Sequence, residues 1–406
     1  MQQRRILFCN QHYHPDVAAT ALALTDLCEF LATRNMEVHV IASRGAYDSK
    51  EREKSYEVLN GVHIHRVAAT SFGRKSNLFR MVDYGTFFLL AILKSLFMRR
   101  FQVVVTLTTP PLLTLMGTVL GWIKRSRHVI WSMDLHPEAE IAAGMTSESS
   151  LIAKILLKLN GISVRRTERI VALSPDMRKR LLRYQYPEGH IDWIRIWSDQ
   201  DEVKPMERAL VKSAIPEPFR ERFIVNYSGN MGLAHEFETM KSALLAFKNR
   251  HDIGFIFGGG GPKKAMLETF AAEHQLTNVA FLPYMDRSEI NMALGRGHIN
   301  WLSLSPEFVG IASPSKAYGY MASGRPIVFV GEPDSDIARD IAEADCGYAV
   351  KIGDTDGLVK AIETLKDSAE LRSKLAANGR RFFEVNASKN VGCQAWLKVI
   401  EDAIGA

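Results

Sequence analysis

The sequence predicts an α/β protein made of two doubly wound, Rossmann-like domains. Short β-branched runs alternate with longer helical patterns along the whole chain. Most of the strand runs are continuously apolar, which is typical of parallel strands covered by helices on both faces. A polar, proline-marked stretch at residues 198–223 interrupts the alternation, and 406 residues are enough for two domains or more.

The predicted strands fall into two series. In the first half they lie at residues 6–9, 38–42, 62–67, 103–107, 129–133 and 170–173, and in the second half at 223–227, 253–257, 279–282, 299–303 and 327–330. Helices are predicted between them at 21–33, 77–99, 174–184, 238–249, 263–275 and 315–322. We expect a first domain at residues 1–200, a second at 201–385, and a final helix at 386–406 that crosses back to the first domain.

Composition excludes several protein classes. A hydrophobic content of 47% and a charged content of 24% are ordinary for globular proteins and exclude disordered, collagen-like and disulfide-scaffold chains. The 4 cysteines form no Cys-x-x-Cys pair and are expected to be buried, reduced thiols. The net charge of +6 favours an anionic partner, but without a recognition-helix motif we expect no nucleic acid.

Two apolar segments bear on location. The run at residues 6–9 is too short for a signal-peptide core, so we expect a cytoplasmic protein. Residues 77–101 are the most membrane-like stretch, but Lys94 interrupts them and the apolar run is shorter than the roughly 20 residues needed to span a bilayer. This stretch is either a core helix or a helix in the headgroup plane, and the two interpretations are compatible.

The loop after the first strand is a candidate ligand site, because ligands of parallel sheets bind beyond the carboxyl ends of the strands. Ala18, Ala19 and Thr20 are small enough to let an anion approach a helix N-terminus. The loop lacks the Gly-x-Gly-x-x-Gly pattern and its acidic partner, so it does not predict a dinucleotide site. For His12 and His14 a polar loop is favoured over a metal site.

Three loops in the second half are rich in small residues. They lie at residues 227–232, 258–262 and 311–316. Bare glycine backbone suits close packing against a ligand, although tight strand-to-helix turns also use glycine. In the third loop Ser313 or Ser315 can cap the following helix and Lys316 adds a positive charge, an arrangement that suits a diphosphate.

Six short motifs in a fixed order cover nearly the whole chain, at residues 13–20, 133–138, 227–232, 259–262, 281–284 and 313–326. In this order and spacing the chain resembles the group 4 retaining glycosyltransferases of the two-Rossmann GT-B fold, especially those of bacterial capsule, O-antigen and exopolysaccharide assembly. The resemblance implies a nucleotide-sugar donor on the second domain, with a UDP-sugar favoured, and the acceptor on the first. It implies no metal or other cofactor, an undecaprenyl-diphosphate-linked acceptor, and contact with the cytoplasmic face of the inner membrane.

The resemblance also implies site residues. The nucleobase is expected beside Pro283 and Tyr284, and the acceptor and leaving phosphate beside Asp16, Ala18, Ala19 and Thr20. Asp134, His136 and Lys316 are the expected catalytic residues. The expected donor-binding residues are Gly229, Asn230, Met231, Gly232, His235, Gly259, Gly260, Pro283, Tyr284, Ser313, Pro314, Ser315, Lys316 and Tyr318.

This chain departs from the family pattern at several positions. The family's diphosphate-binding Arg and Lys fall at Asn230 and His235, its second helix glutamate at Gly319, and its first-domain histidine at Met133. These departures give weight to a noncatalytic homologue that binds nucleotide sugars. A nucleotide-sugar epimerase is a weaker alternative, because it leaves the lipid-facing segment unexplained.

Overall fold

The computed structural model describes residues 4–16, 18–44, 53–70 and 77–405. Val17, in the predicted acceptor-side loop, and Ala406, at the end of the predicted final helix, lie outside these residues. The chain forms two compact units, one of residues 1–195 with 392–406 and the other of residues 196–391.

The first unit is an eight-stranded sheet with helices on it. The strands run in the order β3-β4-β2-β1-β5-β6-β7-β8, and all neighbours are parallel except β3 and β4. Asn60 (φ 49°) and Gly61 (φ 80°) form the turn between β3 and β4. The elements are β1 (Arg4–Cys9), α1 (Ala19–Ala32), β2 (Met36–Ser43), β3 (Tyr56–Leu59), β4 (Val62–Val67), α2 (Asn77–Phe97), β5 (Val103–Leu107), α3 (Thr114–Lys124), β6 (Arg127–Trp131), α4 (Glu138–Ala142), α5 (Leu151–Arg165), β7 (Arg169–Ala172), α6 (Pro175–Leu181) and β8 (Ile191–Trp193).

The second unit is a six-stranded, fully parallel sheet in the order β11-β10-β9-β12-β13-β14. This is the doubly wound order whose direction reverses between the first and fourth strands of the unit, here β9 and β12. The elements are α7 (Arg208–Val211), β9 (Phe223–Ser228), α8 (Glu238–Ala246), β10 (Ile253–Gly258), α9 (Lys264–Glu273), β11 (Val279–Leu282), α10 (Ile290–Gly295), β12 (Ile299–Ser303), α11 (Lys316–Ala322), β13 (Ile327–Val330), α12 (Asp336–Ala344), β14 (Gly347–Val350), α13 (Thr355–Asp367) and α14 (Ala369–Asn386). The last helix, α15 (Lys389–Gly405), belongs to the first unit from residue 392 onward.

The predicted α/β class with two parallel sheets is confirmed, with three omissions among the strands. The antiparallel edge strand β3 and the last strands of each sheet, β8 and β14, were not predicted. The predicted final helix at residues 386–406 is α15, which begins at Lys389, and the preceding helix α14, which ends at Asn386, was not predicted. Trp396 of α15 is fully buried in the first unit, with its ring 4.6 Å from that of Trp131.

Helix α2 has one buried face and one exposed apolar face. Phe87 and Ala91 are fully buried in the core of the first unit. Leu89, Leu93 and Phe97, spaced by four residues, are exposed. The buried face fits the interpretation as a core helix, and the exposed face is the one that a helix in the headgroup plane would turn toward lipid. No helix among the described residues has the length and apolar character needed to cross a bilayer.

All four cysteines are buried, as predicted, and none is joined in a disulfide bond.

We expect the protein to lose thermal stability as the pH falls from about 6.5 to about 4. Burial lowers the pKa of His65 to about 4, and lowers the pKa of His128 and of His298 to about 3. The folded chain then binds fewer protons than the unfolded chain between these values, so folding is opposed as the pH falls. Differential scanning calorimetry from pH 7.5 to pH 4.5 measures this slope. His65→Phe should flatten it, and an unchanged slope would show that His65 does not contribute.

Candidate functional site

Two glycine loops interlock at the carboxyl ends of β9 and β10. The backbone amide of Gly229 donates to the carbonyl of Gly258 (2.9 Å), and the amide of Met231 donates to the carbonyl of Gly260 (2.6 Å). Gly259 has φ +128°, and a Cβ on it would lie 2.1 Å from the carbonyl oxygen of Gly229. These glycines are therefore required by the packing of one loop on the other, and they also leave bare backbone at the sheet edge.

The ammonium of Lys316 lies against these loops. Its Nζ donates to the hydroxyl of Tyr227 (2.8 Å) and to the carbonyl of Asn230 (2.9 Å), and it lies 4.6 Å from the centre of the Tyr227 ring. Desolvation by the surrounding protein lowers the pKa of Lys316 to about 7. Without a ligand, Lys316 is therefore only partly charged at neutral pH, whereas the sequence predicts a full positive charge there.

His235 is the third acceptor for this ammonium. Its Nδ1 lies 2.6 Å from the carbonyl oxygen of Ser303, which can only accept, so Nδ1 carries the proton. The lone pair is then on Nε2, 2.8 Å from Nζ of Lys316. Burial and the charge of Lys316 hold the pKa of His235 well below its usual value, so the ring is neutral.

Helix periodicity decides which residues of α11 reach the loops. Tyr320 is four residues after Lys316 and shares its face, and its hydroxyl accepts from the amide of Ser228 (2.9 Å) and donates to the carbonyl of Ser228 (3.1 Å). Tyr318 is 1% exposed and donates to Asp340 of α12 (2.8 Å), so it is a core residue. The structure thus does not bring Tyr318 to the glycine loops. Tyr320 was not predicted as a site residue, although its four-residue spacing from Lys316 could have identified it.

The start of α11 differs from the predicted cap. Ser315 stands at the N-cap with helical backbone, and its side chain accepts no capping hydrogen bond. The capping role predicted for it is therefore wrong. Ser313 and Pro314 line a small cavity between the end of β12 and the start of α12.

The expected nucleobase residues border the second glycine loop. Pro283 and Tyr284 are exposed, Tyr284 to 60%. A Cβ on Gly260 would lie 3.0 Å from the Tyr284 ring, so the ring stands directly beside the bare backbone. An exposed aromatic ring next to glycines can stack against a planar base. Of the other predicted donor residues, Met231 is a core side chain, while Gly232 lies against the Asn230 amide.

In the first unit the loop after β1 is closed at Asp16 and open at the start of α1. Asp16 is 7% exposed, and its Oδ2 lies 2.9 Å from Nδ1 of His12. Ala18 stands at the N-cap of α1 and supplies no side-chain cap. Ala19 is exposed and Thr20 half-buried, so the small residues remain open at the helix start, whereas Asp16 is held by its histidine partner.

Asp134 and His136 lie just after β6, with Glu140. The amides of Met133 and Asp134 both donate to Oγ1 of Thr108 (3.2 Å each). Desolvation raises the pKa of Asp134, with His136 acting against it and Glu140 adding to it. Desolvation lowers the pKa of His136, but its hydrogen bond to Glu140 (2.8 Å) and nearby carboxylates outweigh this, so its pKa is raised.

The described residues contain no group of three or more His, Cys, Asp or Glu side chains arranged to hold a metal ion. A His–carboxylate pair after β1 and another after β6 can hold or move a proton.

Comparisons with known proteins connect these features to a family. Residues 19–197 match a family described as "Glycosyl transferase 4-like domain", and residues 212–382 match "Glycosyl transferases group 1". The probable glycosyltransferase WbjE of Pseudomonas aeruginosa is 26% identical over 268 residues. The match covers 66% of this chain and 66% of WbjE, just under two thirds of its length. The putative colanic acid biosynthesis glycosyl transferase WcaI of Escherichia coli (strain K12) is 21% identical over 363 residues, 85% of this chain and 88% of WcaI.

Among solved structures, Anabaena HepE in complex with UDP-glucose has a similar fold. It superposes with a TM-score of 0.72 at 13% identity, covering 98% of this chain and 99% of HepE.

Proposed function

Because the chain belongs to the GT-B glycosyltransferases, with a 4-like domain followed by a group 1 domain, we propose that it is a retaining enzyme of bacterial surface-polysaccharide biosynthesis. In this proposal it moves a sugar from a nucleotide-diphosphate sugar, a UDP-sugar, to a lipid-linked saccharide. The observation that carries it is the pair of interlocked glycine loops with the Lys316 ammonium against them. The similarity of HepE, which was solved with UDP-glucose, supports the choice of uridine.

The proposed chemistry is electrostatic. Retaining transfer requires the diphosphate to leave while the acceptor hydroxyl attacks the same face of the sugar. Negative charge builds on the departing phosphate, and a fixed cation beside it accelerates this step. We assign that cation to Lys316, with the loop amides and the start of α11 beside it. The proposal includes no metal, since protein cations and dipoles take that role.

On the acceptor side we assign positioning of the hydroxyl to Asp134 and His136. The pKa of Asp134 and the pKa of His136 are both raised, so each group holds a proton more readily than a free side chain does. The leaving phosphate itself takes the acceptor's proton. Asp16 is held by His12, so on this side we assign contact with the acceptor to the open backbone at residues 18–20 instead.

A thermal-shift series tests the donor. UDP, UDP-glucose and UDP-N-acetylglucosamine should raise the melting temperature, whereas GDP and ADP should not. At 100-fold excess over Kd, ligand binding adds about 2.7 kcal/mol to the unfolding free energy. A shift with GDP or ADP alone would show that the site prefers guanine or adenine to uracil. No shift with any of these nucleotides would contradict the proposed donor site.

A noncatalytic homologue is the second candidate. Neither Asn230 nor the neutral His235 adds a permanent charge beside Lys316. Such a protein would bind UDP-glucose without hydrolysing or transferring the sugar. Slow release of glucose from UDP-glucose by the pure protein, absent in Lys316→Met, would exclude it.

We further propose that the protein binds the cytoplasmic face of the inner membrane through an apolar surface of the first unit, the lipid face. It consists of Leu89, Leu93 and Phe97 of α2 with Trp122 and Ile123 of α3. Phe97 is 85% and Trp122 82% exposed.

Hydrogen bonds join the ends of α2 and α3 and bring cations to the same place. Lys124 donates to the carbonyls of Ser95 (2.8 Å) and Met98, and Arg100 donates to the carbonyl of Arg125 (2.9 Å). Exposed aromatic rings flanked by Lys and Arg suit the interface of an anionic bilayer.

We expect the lipid face to bind anionic vesicles. In flotation assays the protein should rise with phosphatidylglycerol vesicles and not with phosphatidylcholine alone. Phe97→Glu and Trp122→Glu should each lower binding by about tenfold or more, because they place a charge where a ring enters the interface. Val385→Glu, at a similarly exposed apolar position on α14 of the second unit, is the control. Equal loss in all three variants would contradict the assignment.

A further inference from the structure

The Lys316 ammonium has no negatively charged partner among the described residues. Its three acceptors are the Tyr227 hydroxyl, the Asn230 carbonyl and Nε2 of His235, all uncharged groups. Desolvation holds the pKa of Tyr227 well above its usual value, so its hydroxyl stays protonated. A desolvated cation with only dipolar partners is costly to keep charged.

His235 holds this ammonium by a chain of two hydrogen bonds. The Ser303 carbonyl at the end of β12 fixes the proton on Nδ1 (2.6 Å), which leaves Nε2 as an obligate acceptor for Nζ (2.8 Å). His235 is 8% exposed. The backbone carbonyl of His235 also accepts from Nζ of Lys263 (2.5 Å), which fixes the loop from the other side. The ring therefore sets where Nζ stands, and it can do so only while it is neutral.

We propose that His235 is a positioning residue that holds the Lys316 ammonium for the donor, and that the donor diphosphate supplies the negative partner which this ammonium lacks. This inference rests on the proposed function. It predicts that binding of the diphosphate is accompanied by uptake of a proton by Lys316 above neutral pH. The family comparison does not supply this arrangement, because the chain has a histidine where the family has a lysine.

The direction of proton transfer on donor binding follows from the charge of Lys316 in the chain without a ligand. Because the pKa of Lys316 is about 7 without a ligand, Nζ is largely neutral at pH 8.5 and largely charged at pH 6. A bound diphosphate raises that pKa, so donor binding takes up close to one proton at pH 8.5 and almost none at pH 6. Among the described residues, the other titratable groups of the surroundings are Tyr227, Tyr284 and Tyr320, with Lys263 facing His235 and with Glu236, Glu238 and Glu307 acting on Lys263.

Isothermal titration calorimetry with UDP-glucose measures the Kd and the number of protons taken up. The titrations run from pH 6 to pH 8.5 in buffers of different ionisation enthalpy. UDP-glucose is the probe because its diphosphate is esterified at both ends and does not itself titrate in this range. The wild-type Kd should rise by about tenfold per pH unit above pH 7, with a matching proton uptake.

Variants separate positioning from a merely structural role. His235→Leu removes the acceptor and should weaken binding while shifting the pH profile. His235→Gln keeps an acceptor oxygen and should restore most of the affinity. Lys316→Met combined with His235→Lys returns one ammonium to the same place from the other loop, and should recover affinity that Lys316→Met alone loses.

Two failures are distinguishable. No heat with UDP-glucose at any pH would remove the proposed donor site itself. Binding with a pH-independent Kd and no proton uptake, or an unshifted pH profile in His235→Leu, would remove only the role of His235 and the proton coupling.

Discussion

The Lys316→Met variant is expected to bind UDP-glucose about 100-fold more weakly than the wild type, or worse, while it keeps its fold. Charge-assisted hydrogen bonds each contribute about 1.5–3 kcal/mol, and the ammonium can make one or two of them to a diphosphate. The side chain of methionine has a similar length, so the space beside Tyr227 stays filled. Calorimetric titration with UDP-glucose at pH 6.5, where the wild-type ammonium is charged, measures the loss.

The melting temperature should stay within a few degrees of the wild type. The variant loses three hydrogen bonds of Nζ, but it also removes a desolvated charge, and the two effects oppose each other. Lys360→Met, at an exposed position of α13, is the matched control and should change neither property. Unaltered affinity in Lys316→Met would place the diphosphate elsewhere.

The largest combined effect on stability and binding is expected from Gly259→Ala. The new Cβ would lie 2.1 Å from the carbonyl oxygen of Gly229, and the backbone at φ +128° is itself unfavourable for alanine. Strain of this kind costs about 1–3 kcal/mol before the clash is added. Because backbone hydrogen bonds join the two glycine loops, relieving the clash moves the loops apart and breaks these hydrogen bonds. We expect a clear fall in melting temperature together with loss of detectable UDP-glucose binding.

Gly353→Ala separates the two causes. Gly353 also has positive φ (+85°), but a Cβ there would meet nothing within 4 Å. It should therefore show the backbone strain alone, a smaller loss of stability, with donor affinity intact. If both variants lose equal stability, the contact between the loops contributes little.

The strands were predictable where they are buried on both faces. Those at 103–107, 299–303 and 327–330 have the predicted bounds, and every residue in them is buried. The strands at 62–67 and 279–282 also have the predicted bounds, although they are partly exposed. β3 was missed because it is a half-exposed edge strand with an alternating pattern. Its signal was present in the Asn60-Gly61 pair, the residue types that favour a tight hairpin turn.

The site was predictable as a set of loops, but not as a set of contacts. Lys316 follows a small-residue loop at the start of a helix, which the sequence displays. Its acceptors Tyr227 and His235 come from positions 89 and 81 residues earlier. Local spacing carries no information on such contacts. The lowered pKa of Lys316 depends on desolvation by several elements, which only the packed structure defines.

Because Trp396 is buried against Trp131, the unit that is synthesised first is not the first to have its whole core available. The second unit is one unbroken stretch of chain, residues 196–391, whereas the first unit needs residues 392–406 as well as 1–195. During translation the second unit can therefore complete its core before the first. Until the end of α15 has left the ribosome, the sheet around Trp131 lacks its aromatic cover, and the nascent chain presents an unfinished apolar surface to chaperones and to other chains.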